Sequence, residues 1–285
     1  MIQEATIISN LSRYPLIEKF LGDIVRQRLG IEGYENGILT AQLLDEHYKS
    51  DMQRLEQALT VGGANCKSFE RIFHIGKLAQ NQEIADARIL DMLAEVRAFE
   101  FLYNIGGKNT SYLSQKSKST TVDFVTEISN DKCAVEVTRI GLPTSTKKKP
   151  IFIAEDSERI KLGNRELDVT WSLISDQDNR PTFKNVIGDA IDTKYLQVKQ
   201  FCQMKNKTWK GVITISFGRD YFVTKNARRD LSMFPEKIKE AIKMIWREQK
   251  NVYEYLDYVI FLLGKNLDRA FIYPDLPTKG VITYA

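Results

Sequence analysis

In the first third of the chain, apolar residues recur at intervals of three and four, the spacing of a helix face packed on a core. YPLIEKFLGDIVRQRLG (14–30) follows this pattern and ends in Gly30, a stop signal. LTAQLLDEHYKSDMQRLEQALTVGG (39–63) repeats it and stops at Gly62-Gly63. A longer helical region runs from about Ser68 to Ile105, closed by Gly106-Gly107, with a break expected near Asn81. Beyond Gly107 the period changes from helical to alternating. TTVDFVTEIS (120–129), CAVEVTRI (133–140), KGVITISFG (210–218), DYVIFLLG (257–264) and RAFIYP (269–274) read as strands rich in Val, Ile, Thr and aromatics. The polar stretch from Pro143 to Thr182 reads as loops with a short element. Helical spacing returns in GDAIDTKYLQVKQFCQMK (188–205) and in PEKIKEAIKMIWREQ (235–249), whose proline suits a first helical turn. This order predicts an α/β fold, a mixed central sheet flanked by helices, over residues 68–285, with a helical N-terminal region over 1–67.

Composition narrows the class. With 285 residues, 43% hydrophobic and 27% charged, the chain has the make-up of a soluble globular protein of one large domain or two smaller ones. No apolar run approaches the roughly 20 residues that span a bilayer, so no membrane segment is expected. The opening MIQEATIISN has no secretory pattern. Cys66, Cys133 and Cys202 lie far apart without zinc-site spacing, as suits a reducing cytoplasm. Net charge is only +4, but Lys194 to Lys250 holds 14 basic and 5 acidic residues. Such a segment can face a phosphate backbone; it can equally be a solvated lysine-rich surface.

Two carboxylates interrupt the strand pattern. The polar turn SNDK closes most simply through Asn130-Asp131, which sets Val125 opposite Glu136 and Asp123 opposite Thr138. Asp123, Val125, Glu136 and Thr138 then share one face, with Asp123 and Glu136 diagonal neighbours about 7–8 Å apart at the backbone. Val122, Phe124, Thr126, Val135 and Val137 are expected on the other face as core. Oxygen ligands this close suit Mg²⁺; the alternative is an exposed sheet face carrying two unrelated acids. A third acid, Glu95, has Met92, Ala98, Phe99 and Leu102 as helical neighbours and so lies on or beside an apolar stripe. It could join the other two, or pair with Arg97 or a distant lysine.

A helix with Glu95, a strand with Asp123 and a strand carrying EVT (136–138) resemble the PD-(D/E)XK nuclease superfamily, the restriction-endonuclease-like fold. The resemblance covers roughly Met92 to Gly218. It implies helix, three strands, helix and strand around a mixed sheet, and metal-dependent hydrolysis of phosphodiester bonds. It also implies that Asp123 and Glu136 hold Mg²⁺ (or Mn²⁺), with Glu95 completing or supporting the site. Two departures stand out: Val122 replaces the proline before the first acid, and Thr138 replaces the lysine two residues after the second. Lys194, at the edge of the apolar face of its helix, is the candidate to supply that charge; otherwise it is a surface lysine whose stem covers apolar area. Gln197 lies one turn further along the same edge.

Lys147, Lys148 and Lys149, just after the EVT strand, and Arg228 and Arg229 on the basic segment are candidate phosphate contacts, or mobile basic loops. The expected function is a metal-dependent nuclease acting on DNA, in the cytoplasm, with the N-terminal helices serving as an adaptor or as the surface of a homodimer. The alternatives are a nuclease-fold subunit that binds nucleic acid or assembles without strong catalysis, favoured by Thr138, and a structural interaction domain.

Overall fold

A computed structural model describes residues 2–29, 40, 43, 48–73, 82–113, 121–140, 157–162, 165–170, 183–217, 235–263 and 270–274. Three N-terminal helices, α1 (Ile2–Leu11), α2 (Pro15–Leu29) and α3 (Lys49–Asn65), lead through a 3₁₀ turn (Phe69–Phe73) to α4 (Gln82–Asn104). There follow β1 (Lys108–Tyr112), β2 (Phe124–Ile128), β3 (Asp131–Ile140), β4 (Ser157–Leu162), β5 (Arg165–Thr170) and α5 (Phe183–Met204). The order ends with β6 (Lys210–Phe217), α6 (Pro235–Gln249), β7 (Tyr258–Leu263) and β8 (Phe271–Tyr273). The fold is α/β. Six strands form one mixed sheet in the order β1-β2-β3-β6-β7-β8, and β4 and β5 pair separately. β3, β6 and β7 are parallel; the other neighbours in the sheet are antiparallel.

The parallel strands are buried on both faces, which is why KGVITISF and YVIFLL are nearly continuous apolar runs. Cys133, Val135, Val137, Val212, Ile260 and Leu262 face a core built with α4 and the N-terminal helices. Ala134, Ile213, Ile215, Val259, Phe261 and Leu263 face α5 and α6. The first core runs without interruption from Ile7 and Leu21 to Phe124. Glu56 ties α3 to the start of α2, accepting from the Leu16 and Ile17 amides at 2.8 Å each. Those amides are among the four at a helix start that have no intrahelical partner.

Helix ends obey local chemistry. α4 stops because Gly106 takes φ +88°; its amide donates to Tyr103 O and that of Gly107 to Leu102 O, a Schellman ending. α5 ends likewise, with Asn206 at φ +53° in place of glycine.

Three expectations need correcting. The hairpin turns at Ser129-Asn130, both with positive φ, and not at Asn130-Asp131, so Ile128 opposes Asp131 and Val125 opposes Ala134. The register thus moves by two residues, which keeps the paired side chains from Phe124 onward on their expected faces. Val122 does not join Phe124: it packs with α5 because the chain bends at Asp123, before β2 begins. Lastly, the 143–182 stretch holds the β4–β5 hairpin, and β1 was not expected at all.

Candidate functional site

The site forms where β2 leaves β3. Asp123 lies one residue before the first residue of β2, and Glu136 lies within β3. The observed register, continued by one pair, sets Asp123 directly opposite Glu136, closer than the diagonal placement expected. Beyond Phe124 the backbone ladder is completed by side chains. Asp123 Oδ2 accepts from the Val137 amide at 2.8 Å, and Glu136 Oε2 accepts from the Asp123 amide at 3.1 Å. The acids therefore also satisfy amides that would otherwise be buried without partners. Both are almost inaccessible, Asp123 at 1% and Glu136 at 0% exposure.

α5 crosses this face and delivers Lys194, whose Nζ lies 2.7 Å from Glu136 Oε1 with 20% of the side chain exposed. Lys194 thus pairs with an acid of the site. Gln197 follows one turn later on α5, partly buried. Thr138, two residues beyond Glu136, is partly buried and pairs with Ile215 in the sheet.

Glu95 comes from α4, which packs on the opposite face. Its Oε2 is shielded from solvent and has no hydrogen-bond partner among the described residues. The charges of Asp123, Lys194 and Glu136 all act on its carboxylate. Arg97, the partner considered for Glu95, instead donates to Leu263 O at 3.3 Å.

Electrostatics follow from three carboxylates against one ammonium in a place poor in water. Burial, and then the Asp123 charge, push the Glu136 carboxyl up to about 7 against the opposing effect of Lys194. Burial and Asp123 also raise Glu95 well above the usual carboxylate range. At Lys194 burial opposes the charge, but Glu136 and Asp123 outweigh it and raise the pKa.

Among the described residues, no three His, Cys, Asp or Glu side chains close into a ready metal cage. Mg²⁺, however, keeps several waters and takes one or two carboxylates, a requirement Asp123 and Glu136 meet by chemistry and adjacency. The surplus of negative charge and the orphaned Glu95 oxygen fit a cation.

Lys147, Lys148, Lys149, Arg228 and Arg229 lie outside the described residues. β1 was missed because KNTSY is short and polar, with none of the alternation that marks a strand. The three cysteines are buried free thiols, with burial pushing Cys66 and Cys133 up to about 12 and Cys202 to about 11. Among the described residues no helix is long and apolar enough to cross a membrane.

No protein-family model matches the chain, and neither a characterised protein nor a solved structure is significantly similar to it.

Proposed function

We propose that this chain is a metal-dependent nuclease of the PD-(D/E)XK type, hydrolysing phosphodiester bonds with DNA as its substrate. One observation carries the reading: Asp123 and Glu136 face each other from adjacent strands, each bonded to a backbone amide of the other strand, and the helix after β3 adds Lys194 to Glu136. The order α4-β1-β2-β3-α5-β6, with the separate β4–β5 pair inserted between β3 and α5, supports it, being the order such a nuclease core requires.

In this reading Asp123 and Glu136 hold Mg²⁺ or Mn²⁺, with Glu95 supporting them. The cation would polarise the scissile phosphate and lower the pKa of a bound water. Lys194 supplies the charge that Thr138 cannot. Its raised pKa keeps it an ammonium, suited to gripping a phosphate oxygen and unsuited to taking a proton from water. Thr138 retains only the capacity of a hydroxyl to orient a water or phosphate oxygen.

A second reading, a nuclease-fold subunit that binds without cutting, draws on a specific feature. Three carboxylate oxygens of the central pair are already engaged, by the amides of Val137 and Asp123 and by Lys194.

The test is cleavage of supercoiled plasmid and of labelled single-stranded DNA and RNA with Mg²⁺ or Mn²⁺. Asp123→Asn and Glu136→Gln are the informative variants, because each keeps the acceptor that its backbone amide needs while removing the charge. Metal-dependent cutting of DNA that falls by about 100-fold or more in both is the expected result. Wild type that binds DNA in a salt-sensitive way and never cuts would replace this reading with the second.

A further inference from the structure

We infer that the outer face of α6 is a groove for single-stranded nucleic acid, in which a base stacks on Trp246 and phosphates meet Lys243, Arg247 and Lys250. The groove shares no residue with the acid site, so the inference stands apart from the nuclease reading.

Two cavities of about 440 and 320 Å³ meet along Trp246 and Lys250, which line both. Each lies in the size range of small-ligand sites, about 300–1,000 Å³. Lys243, Trp246, Arg247 and Lys250 are spaced by three and four positions and so form one stripe along α6 and the turn that follows it. The other stripe, Ile238, Ala241, Ile242 and Ile245, is buried. The Lys250 amide donates to Trp246 O at 3.1 Å, which extends the helical turn carrying both side chains. Tyr273 of β8 meets the Trp246 ring edge-on with centroids 5.7 Å apart, and this fixes the indole beside the sheet.

Charge in the groove is one-sided. Three acids line it, and each is paired with a lysine from outside: Glu248 with Lys184, Glu254 with Lys207 at 2.9 Å, and Asp257 with Lys210 at 3.0 Å. Among the described residues, Lys243, Arg247 and Lys250 have no such partner. A cation at a helix end offsets the dipole, which accounts for Arg247 and Lys250. Lys243 lies nearly two turns before the end and has no such role. Cations alone would suit any polyanion; the indole narrows the choice. Every base has a π-face, and an aromatic platform beside cations is how unpaired strands are held. In a duplex those faces are covered by neighbouring bases, so the fitting ligand is single-stranded.

The experiment is fluorescence anisotropy of a labelled oligothymidylate in EDTA over a range of salt concentrations, with melting temperatures alongside. Wild type is compared with Trp246→Leu and with a double variant, Lys243→Gln and Lys250→Gln. Both lysines are exposed, so the double variant should melt like wild type. Trp246→Leu should bind about tenfold more weakly, the usual effect of losing one stacked base. The double variant should lower the slope of log affinity against log salt by about 1.4, at about 0.7 per phosphate contact. Unchanged binding in either variant would overturn the inference. Inorganic polyphosphate competing as well as the oligonucleotide would also overturn it, since polyphosphate has no base to stack. Wild type that binds no strand in EDTA would do the same, whether or not the protein cuts plasmid with Mg²⁺.

Discussion

At the scale of single residues, the Glu136–Lys194 pair sets how stability depends on pH. The Glu136 carboxyl titrates near 7 in the fold against an ordinary 4.5. Between these values the folded state keeps a proton that the unfolded chain has released, so stability falls as pH rises through that window. At about 1.4 kcal/mol per pKa unit, the loss is on the order of 3 kcal/mol above pH 7. Melting curves of wild type and Glu136→Gln at pH 5 and pH 8 should show it: wild type loses stability relative to the glutamine variant as pH rises. A difference that stayed flat would refute the assigned cause. Lys194→Met keeps most of the stem and removes the charge, leaving Glu136 buried without its cation. Loss of a buried partner costs about 3–5 kcal/mol, and here the cost should be concentrated above pH 7, where Glu136 would otherwise be ionised. Chemical denaturation of Lys194→Met at pH 5 and pH 8 measures it.

At the scale of elements, the site depends on how strands end and turn. A one-residue change in the β2–β3 register would have parted Asp123 from Glu136. The observed two-residue change brought them opposite each other. Depth in the sheet is set from below by Gly211, at the start of β6. A Cβ there would lie 1.9 Å from Tyr255 O, a backbone atom that cannot swing aside. The Gly211 amide also donates to Asp257 at 2.9 Å, so strand and loop are locked together. Gly211→Ala should destabilise the protein by about 3 kcal/mol, the upper range for overpacking, as measured by urea unfolding. β6 pairs with β3 from Lys210 to Phe217, so the damage should reach the Glu136 strand. A variant as stable as wild type would show that the β6 start can shift without cost.

Across the whole molecule, two cores clamp the sheet, and the acids lie where helices from both sides reach one strand end. The N-terminal helices contribute to the same core as α4, which carries Glu95. Phe69, between α3 and α4, packs its ring against Phe99 of α4 at 5.5 Å and occupies the space beside Gly62. Deleting residues 1–65 would strip that core, and the expected result is a chain with weak near-ultraviolet circular dichroism and non-cooperative melting. Sharp two-state unfolding of the truncated protein would contradict this. The basic segment around α6 belongs to this scale too, since its effect is a summed field. Lys184–Glu248, Lys207–Glu254 and Lys210–Asp257 already pair part of the positive charge in and near it.

What the sequence by itself determined is element type and face. Helical spacing located α2 and α6, alternation located β2, β3 and β8, and buried apolar runs located β6 and β7, because periodicity is written in every few residues. The same-face placement of Asp123 and Glu136 needed only the two-residue repeat of a strand. Turn position, the bend before β2 and the polar edge strand β1 were not written locally. They follow from which strand pairs with which, and a short run such as KNTSY has no strand character until a neighbour supplies its hydrogen bonds. The tertiary structure alone therefore decided that Lys194 lies 2.7 Å from Glu136, and that Asp123 and Glu136 each accept a hydrogen bond from a backbone amide of the other's strand segment. These are contacts between residues 13 to 58 positions apart, and only the pairing of β2 with β3 and the packing of α5 on that sheet bring them together.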